Sequence, residues 1–138
     1  MENIQREKRV FMKKKTIMLC IITATLIMEI LPYGAVCNFA NPDGGPWRQT
    51  FSYFSLIPFG YANFAPFIVA ILTCALFCFL LIDIFLKKSF KKTIMVLAIT
   101  STVISLAPLA LGKSYFSILG ALIFILLASL ACVSAMKE

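Results

Sequence analysis

Histidine is missing from this chain altogether. Zinc sites and imidazole-based acid–base catalysis thereby lose their usual residue. Charge is scarce as well: 14% of the 138 residues are charged, where soluble domains carry about a quarter. Of the six acidic residues, only Glu29 and Asp83 fall in or near an apolar run. A conduction path or a hydrolytic centre needs more polar groups than that. The five cysteines, Cys20, Cys37, Cys74, Cys78 and Cys132, are odd in number and contain no Cys-x-x-Cys pair. No disulfide framework can be read from them.

What the chain has in abundance is apolar sequence, 61% of all residues. It comes in nearly uncharged runs of about twenty residues, the length that crosses a bilayer. The pattern predicts an all-α membrane protein, a four-transmembrane-helix antiparallel bundle with a long aromatic outer loop between helices 1 and 2. Residues 1–15 read as a basic cytoplasmic tail, solvated by its charges. Residues 16–138 read as one transmembrane domain with spans at about 16–36, 64–86, 93–111 and 117–136 and an outer loop at 37–63.

Lysine and arginine counts orient the chain. With a cytoplasmic amino terminus the inner side holds Arg6, Lys8, Arg9, Lys13, Lys14 and Lys15, the four lysines of Lys87-Lys88-Ser89-Phe90-Lys91-Lys92, and Lys137. The outer side holds Arg48 and Lys113. That is 11 against 2 of the 13 basic residues, and it places both termini in the cytoplasm of a plasma-membrane protein. The net charge of +7 therefore reports topology, and no nucleic-acid role follows from it. A cleaved signal peptide ending near Gly34-Ala35-Val36-Cys37 is the rival reading. Glu29 and Pro32 interrupt its apolar core, so a retained helix is preferred.

In lipid, small residues mark helix contact faces. Ala70, Cys74 and Cys78 in the second span form one such stripe, as do Ser101, Ser105, Pro108 and Gly112 in the third. In the fourth, Ala121, Ala128, Cys132 and Ala135 do the same. The outer loop opens with Asn41-Pro42-Asp43-Gly44-Gly45-Pro46, a strong turn signal. Its far side is too aromatic for a solvated loop: Trp47, Arg48, Phe51, Tyr53, Phe54 and Tyr61 form the candidate contact surface for lipid or a partner. The spacing of Phe51, Phe54 and Ile57 favours a short interfacial helix over a strand.

Glu29 is the candidate functional carboxylate, about two-thirds along the first span with Thr25, Pro32 and Tyr33 on its face. Buried and unpaired, it would cost on the order of 2–3 kcal/mol. Alternatively Pro32 ends the helix, and Glu29 accepts hydrogen bonds from the loop or pairs with Arg48 or Lys113. Asp83 reads as a surface partner of Lys87 at i,i+4. Cys74 and Cys78 read as packing residues rather than soft-metal ligands, and Asn63 as a helix N-cap. The basic clusters suit anionic lipid headgroups in a general way.

This inventory points to a non-enzymatic accessory or interaction protein with no cofactor and no metal. Its partners are the lipid bilayer and either another membrane protein or a second copy of itself. The alternative is a small proton-coupled transporter or channel using Glu29. In outline the chain resembles small multidrug resistance transporters, which are short and four-spanned with a glutamate in the first span; their outer loops are short and their glutamate lies deeper. Claudin-like proteins share the large first outer loop but carry a pair of loop cysteines, where Cys37 stands alone here. The segments Leu31-Pro32-Tyr33-Gly34-Ala35-Val36 and Pro58-Phe59-Gly60-Tyr61-Ala62-Asn63-Phe64 are similar to small uncharacterised four-span bacterial membrane proteins. That resemblance implies the same architecture and carries no activity.

Overall fold

The computed structural model describes residues 2–41, 44–45, 47–86 and 89–136. The first helix, α1, runs from Glu2 to Ile30, so the segment read as a solvated tail is a helical extension of the first apolar run. It stops short of the predicted Val36 because Pro32 lacks an amide proton and its ring crowds the Met28 carbonyl. The residue before a proline is itself pushed out of the helical region.

Released from the helix, the chain turns and forms strand β1, Ala35–Phe39. This pairs antiparallel with β2, Trp47–Phe51, in the register Ala35 opposite Phe51, Cys37 opposite Gln49 and Phe39 opposite Trp47. Aromatic and β-branched residues favour such a ladder. Between the strands Gly44 takes φ +146°, a conformation that favours glycine; Pro42, Asp43 and Pro46 of the predicted turn lie outside the described residues. The loop thus holds a strand up to Phe51, where an interfacial helix was expected. A helix follows later: α2, Leu56–Gly60, begins where the Ser55 hydroxyl accepts from the Ile57 amide.

The remaining elements are α3, Ala65–Phe85; α4, Lys91–Ser105; α5, Ala107–Leu111; a 3₁₀ turn at Lys113–Tyr115; and α6, Ile118–Ala135. Pro66 sits in the first turn of α3, where its missing N–H costs nothing. Pro108 separates α4 from α5 by displacing the Ile104 carbonyl. Three segments, Ala65–Phe85, Lys91–Leu111 and Ile118–Ala135, are long and apolar enough to cross a membrane. The chain is a multi-pass helical membrane protein with a small β-hairpin.

The long helices pack in a ring, α1 against α3 and α6, and α4 against the same two. Two apolar clusters fill it. Nearer the lysine-rich end are Met18, Ile22, Leu76, Leu80, Ile94, Ala98 and Leu130. Nearer the hairpin are Ala35, Tyr53, Val69, Ala70, Ile123 and Leu127. The small-residue stripe of α4 and α5 is buried at Ser101, Ser105 and Pro108. That of α6 is not: its buried face is Gly120, Ile123, Leu127 and Leu130, while Cys132 and Ala135 are exposed. On α3, Ala70 is buried but Cys78 is exposed.

Asp83 also departs from expectation. It is buried and bonds Lys15 of α1, Nζ to Oδ2 at 2.7 Å. Its Oδ1 accepts from the Phe90 amide at 3.2 Å, and its backbone carbonyl accepts from Lys15 Nζ at 3.0 Å. Lys87, the partner expected from spacing, lies outside the described residues. A buried carboxylate takes the cation that the fold brings to it, here from a segment far away in sequence.

Candidate functional site

Glu29 occupies the last turn of α1, beneath the hairpin, and is fully buried. Its Oε1 lies 2.9 Å from the Thr73 hydroxyl of α3. That hydroxyl also lies 2.8 Å from the Val69 carbonyl one turn earlier. A threonine has one hydroxyl proton, so it can satisfy one of these two acceptors fully. The Thr73 hydroxyl therefore divides its one proton between Glu29 Oε1 and the Val69 carbonyl. Glu29 Oε2 is buried with no hydrogen-bond partner among the described residues. The carboxyl also sits at the negative end of its helix dipole, which disfavours an anion there. The fold thus buries a carboxyl group with one hydroxyl neighbour and one oxygen unmatched among the described residues.

The hairpin is fastened over this acid. The Tyr53 amide donates to the Glu29 carbonyl at 2.9 Å, and the Gly34 amide donates to Phe51 at 3.1 Å. Ser117 Oγ donates to the Gly34 carbonyl at 2.6 Å and accepts from the Gly120 amide at 2.8 Å. Gly34 is required by close approach, since a Cβ there would stand 2.7 Å from two ring carbons of Tyr53. Asn63 does not cap α3; Phe64 holds that position. Instead, the buried Asn63 side chain donates to the Val36 carbonyl at 3.0 Å, tying the start of α3 to β1. An isolated two-stranded hairpin is marginal, so these ties hold it in place.

The predicted outer surface divides into two. Trp47, Arg48, Phe54 and Tyr61 are exposed, Phe51 is half-buried, and Tyr53 points inward with 2% exposure. Phe39 gathers three rings around it: Trp47 at 6.1 Å, Phe51 at 6.5 Å and Tyr61 at 4.8 Å between centroids. Edge and tilted contacts of this kind add to the burial of the rings. Phe59 meets Phe64 and Phe67 in a second group. Arg48 donates to the Phe116 carbonyl at 3.3 Å rather than to Glu29, and Lys113 is exposed. Among the described residues no group of His, Cys, Asp or Glu could hold a metal ion.

Thr73, Gly34 and Ser117 were not singled out by sequence. Thr73 carried a signal, since it is the one hydroxyl in the Ala65–Phe85 run. The other two depend on contacts between distant segments. Comparison with known protein families, with curated proteins and with solved structures finds nothing that matches this chain.

Burial pushes the Tyr53 hydroxyl above the ordinary phenol range. A raised value in the folded state means that the neutral phenol stabilises the cap fully below about pH 10. That contribution is lost as pH rises further. Tyrosinate absorbance titrations of the protein and of Tyr53→Phe should therefore differ only above that range, with the Tyr53 component appearing as the cap loosens.

Proposed function

We propose that this chain is a non-enzymatic, four-span accessory protein of the plasma membrane with both termini in the cytoplasm. Its hairpin closes the outer end of the bundle and offers an aromatic surface to a second membrane protein at the level of the outer headgroups. The observation that carries this reading is the exposed ring surface of Trp47, Tyr61, Phe59 and Phe64 above a closed, hydrogen-bonded cap. Trp and Tyr favour that depth, and exposed aromatic side chains are enriched at partner-binding faces.

The fourth span is α1. Its apolar part, from Thr16 to Ile30, is roughly 22 Å long at 1.5 Å per residue, shorter than the others. Lys15 at one end meets Asp83 and Glu29 at the other meets Thr73, which supports an antiparallel course beside α3 at the same depth. The lysine-rich end belongs in the cytoplasm by the positive-inside bias.

Proton-coupled transport is the second reading, favoured by the buried Glu29 oxygen that has no hydrogen-bond partner among the described residues. Against it stands the apolar cluster of Ile22, Leu76, Leu80 and Leu130, which separates Glu29 from the Lys15–Asp83 end. Two experiments divide the readings. A photocrosslinker at Trp47 or Tyr61 in native membranes should capture one discrete polypeptide, while one at the lipid-facing Ile125 should not. Glu29→Gln should insert and fold, and proteoliposomes of either form should show equally low proton flux. Flux abolished by Glu29→Gln, with no crosslinked product, would establish the carrier instead.

A further inference from the structure

Leu56 and Ile57 of α2 are 63% and 47% exposed, yet they belong to the longest uncharged stretch of the chain, from Gln49 to Ile82. The helix packs on α3 and β1 and turns Pro58 inward. Phe59 meets Phe64 at 4.9 Å and Phe67 at 5.7 Å between ring centroids, which seats α2 against the start of α3. Phe64 heads a stripe of exposed apolar residues that continues through Ile68 and Ile71, four and three positions apart and so on one helical face. We propose that α2 is a lipid anchor: Leu56 and Ile57 enter the acyl-chain boundary of the leaflet beside the hairpin, and phospholipid acyl chains cover them.

Three observations name lipid as the occupant. The first is continuity: the stripe that α2 joins belongs to Ala65–Phe85, a segment long and apolar enough to cross a membrane, and the outward face of such a helix meets acyl chains. The second is charge, since an uncharged segment carries nothing that must stay in water. The third is the backbone, which asks little of water. The Ile57 amide donates to Ser55 Oγ at 3.3 Å, Pro58 has no amide proton, and the Pro58 carbonyl accepts from the Tyr61 and Asn63 amides at 3.1 and 2.9 Å. A segment satisfied in this way can lie at the edge of the hydrocarbon, where apolar faces sink about 5–10 Å into the headgroup–acyl boundary. Leu56 and Ile57 lie outside the aromatic surface offered to a protein partner above. Asn63 follows α2 directly and ties to the Val36 carbonyl at 3.0 Å, so the anchor also fixes β1 at the membrane surface.

Depth-dependent quenching tests the anchor. Trp47 is the one tryptophan, so Trp47→Phe/Ile57→Trp and Trp47→Phe/Leu56→Trp each carry a single reporter on α2. Trp47→Phe/Ile125→Trp, on the lipid-facing side of α6, reports insertion. The full chain is placed in phosphatidylcholine vesicles that contain lipid brominated on the upper acyl chain, or is exposed to iodide in the water. Either α2 reporter should lose more than half of its emission to the bromolipid and almost none to iodide, whatever the ratio of protein to lipid. Strong loss to iodide with little loss to bromolipid, in protein whose Ile125 reporter shows insertion, would put α2 in water and overturn the anchor. Protection from both quenchers that is relieved by dilution in lipid would put a second copy over α2, and overturns it as well. In native membranes a photocrosslinker at Ile57 should yield no discrete polypeptide adduct; capture of one would make the occupant a protein. Lipid contact at Ile57 and protein contact at Trp47 are read by separate reporters, so either reading can fail alone.

Discussion

Asp83→Leu should destabilise the bundle by about 3 kcal/mol or more, because removing one member of a buried pair leaves an uncompensated charge. Lys15, at 6% exposure, would lose its carboxylate partner while keeping the backbone carbonyl of residue 83, and the Phe90 amide that opens the α3–α4 turn would lose its acceptor. Lys15→Met should be costly for the converse reason. The double variant Lys15→Met/Asp83→Leu should recover most of the loss, since two apolar groups of similar volume can replace a buried ion pair at little cost. The readout is the thermal midpoint of the detergent-solubilised protein for all four forms. Additive losses in the double variant would mean that the two side chains are not coupled.

Tyr53→Ala should cost about 3–5 kcal/mol, the usual range for emptying a buried aromatic site. The void would open between Ala35, Val69, Ala70, Ile123 and Leu127, under the hairpin. The same cap can be displaced from the other side. Gly34→Ala would place its Cβ 2.7 Å from the Tyr53 ring, and one of the two must move. Both variants should expose Cys37, which is 2% exposed and whose thiol burial pushes up, away from the reactive thiolate. In a background with Cys20, Cys74, Cys78 and Cys132 replaced by Ala, maleimide labelling of Cys37 should rise at least tenfold in either variant. Unchanged labelling would mean that Tyr53 and Gly34 do not hold the cap shut.

The membrane-length helices were legible because their evidence is local. Ile118–Ala135 follows an uncharged run and Ala65–Phe85 one whose charged residue, Asp83, lies near its end, and the boundaries read from sequence agree within a few positions. The first run misled because hydropathy continues through Val36 while the backbone obeys Pro32, so the last apolar residues became β1. Pairing of Ala35 with Phe51 is non-local, and a run of five residues carries no signal of its partner. Asp83 shows the same limit: spacing offers Lys87 as a neighbour, but tertiary packing supplies Lys15. The contact face of α6 could not be found from small residues alone, since opposing side chains decide which face is buried. Glu29 was legible as an anomaly, a carboxylate in an apolar run. Its tie to Thr73 and the cap over it came only with the fold.

Trp47 is the one tryptophan in the chain, so its fluorescence reports the hairpin without mutation. In proteoliposomes of fixed orientation, lipids brominated near the headgroup should quench it more than lipids brominated near the chain ends. Iodide on the hairpin side alone should quench it as well, while iodide confined to the lysine-rich side should not. Quenching only by the deep bromines, or only from the lysine-rich side, would contradict an aromatic cap seated at the outer membrane surface.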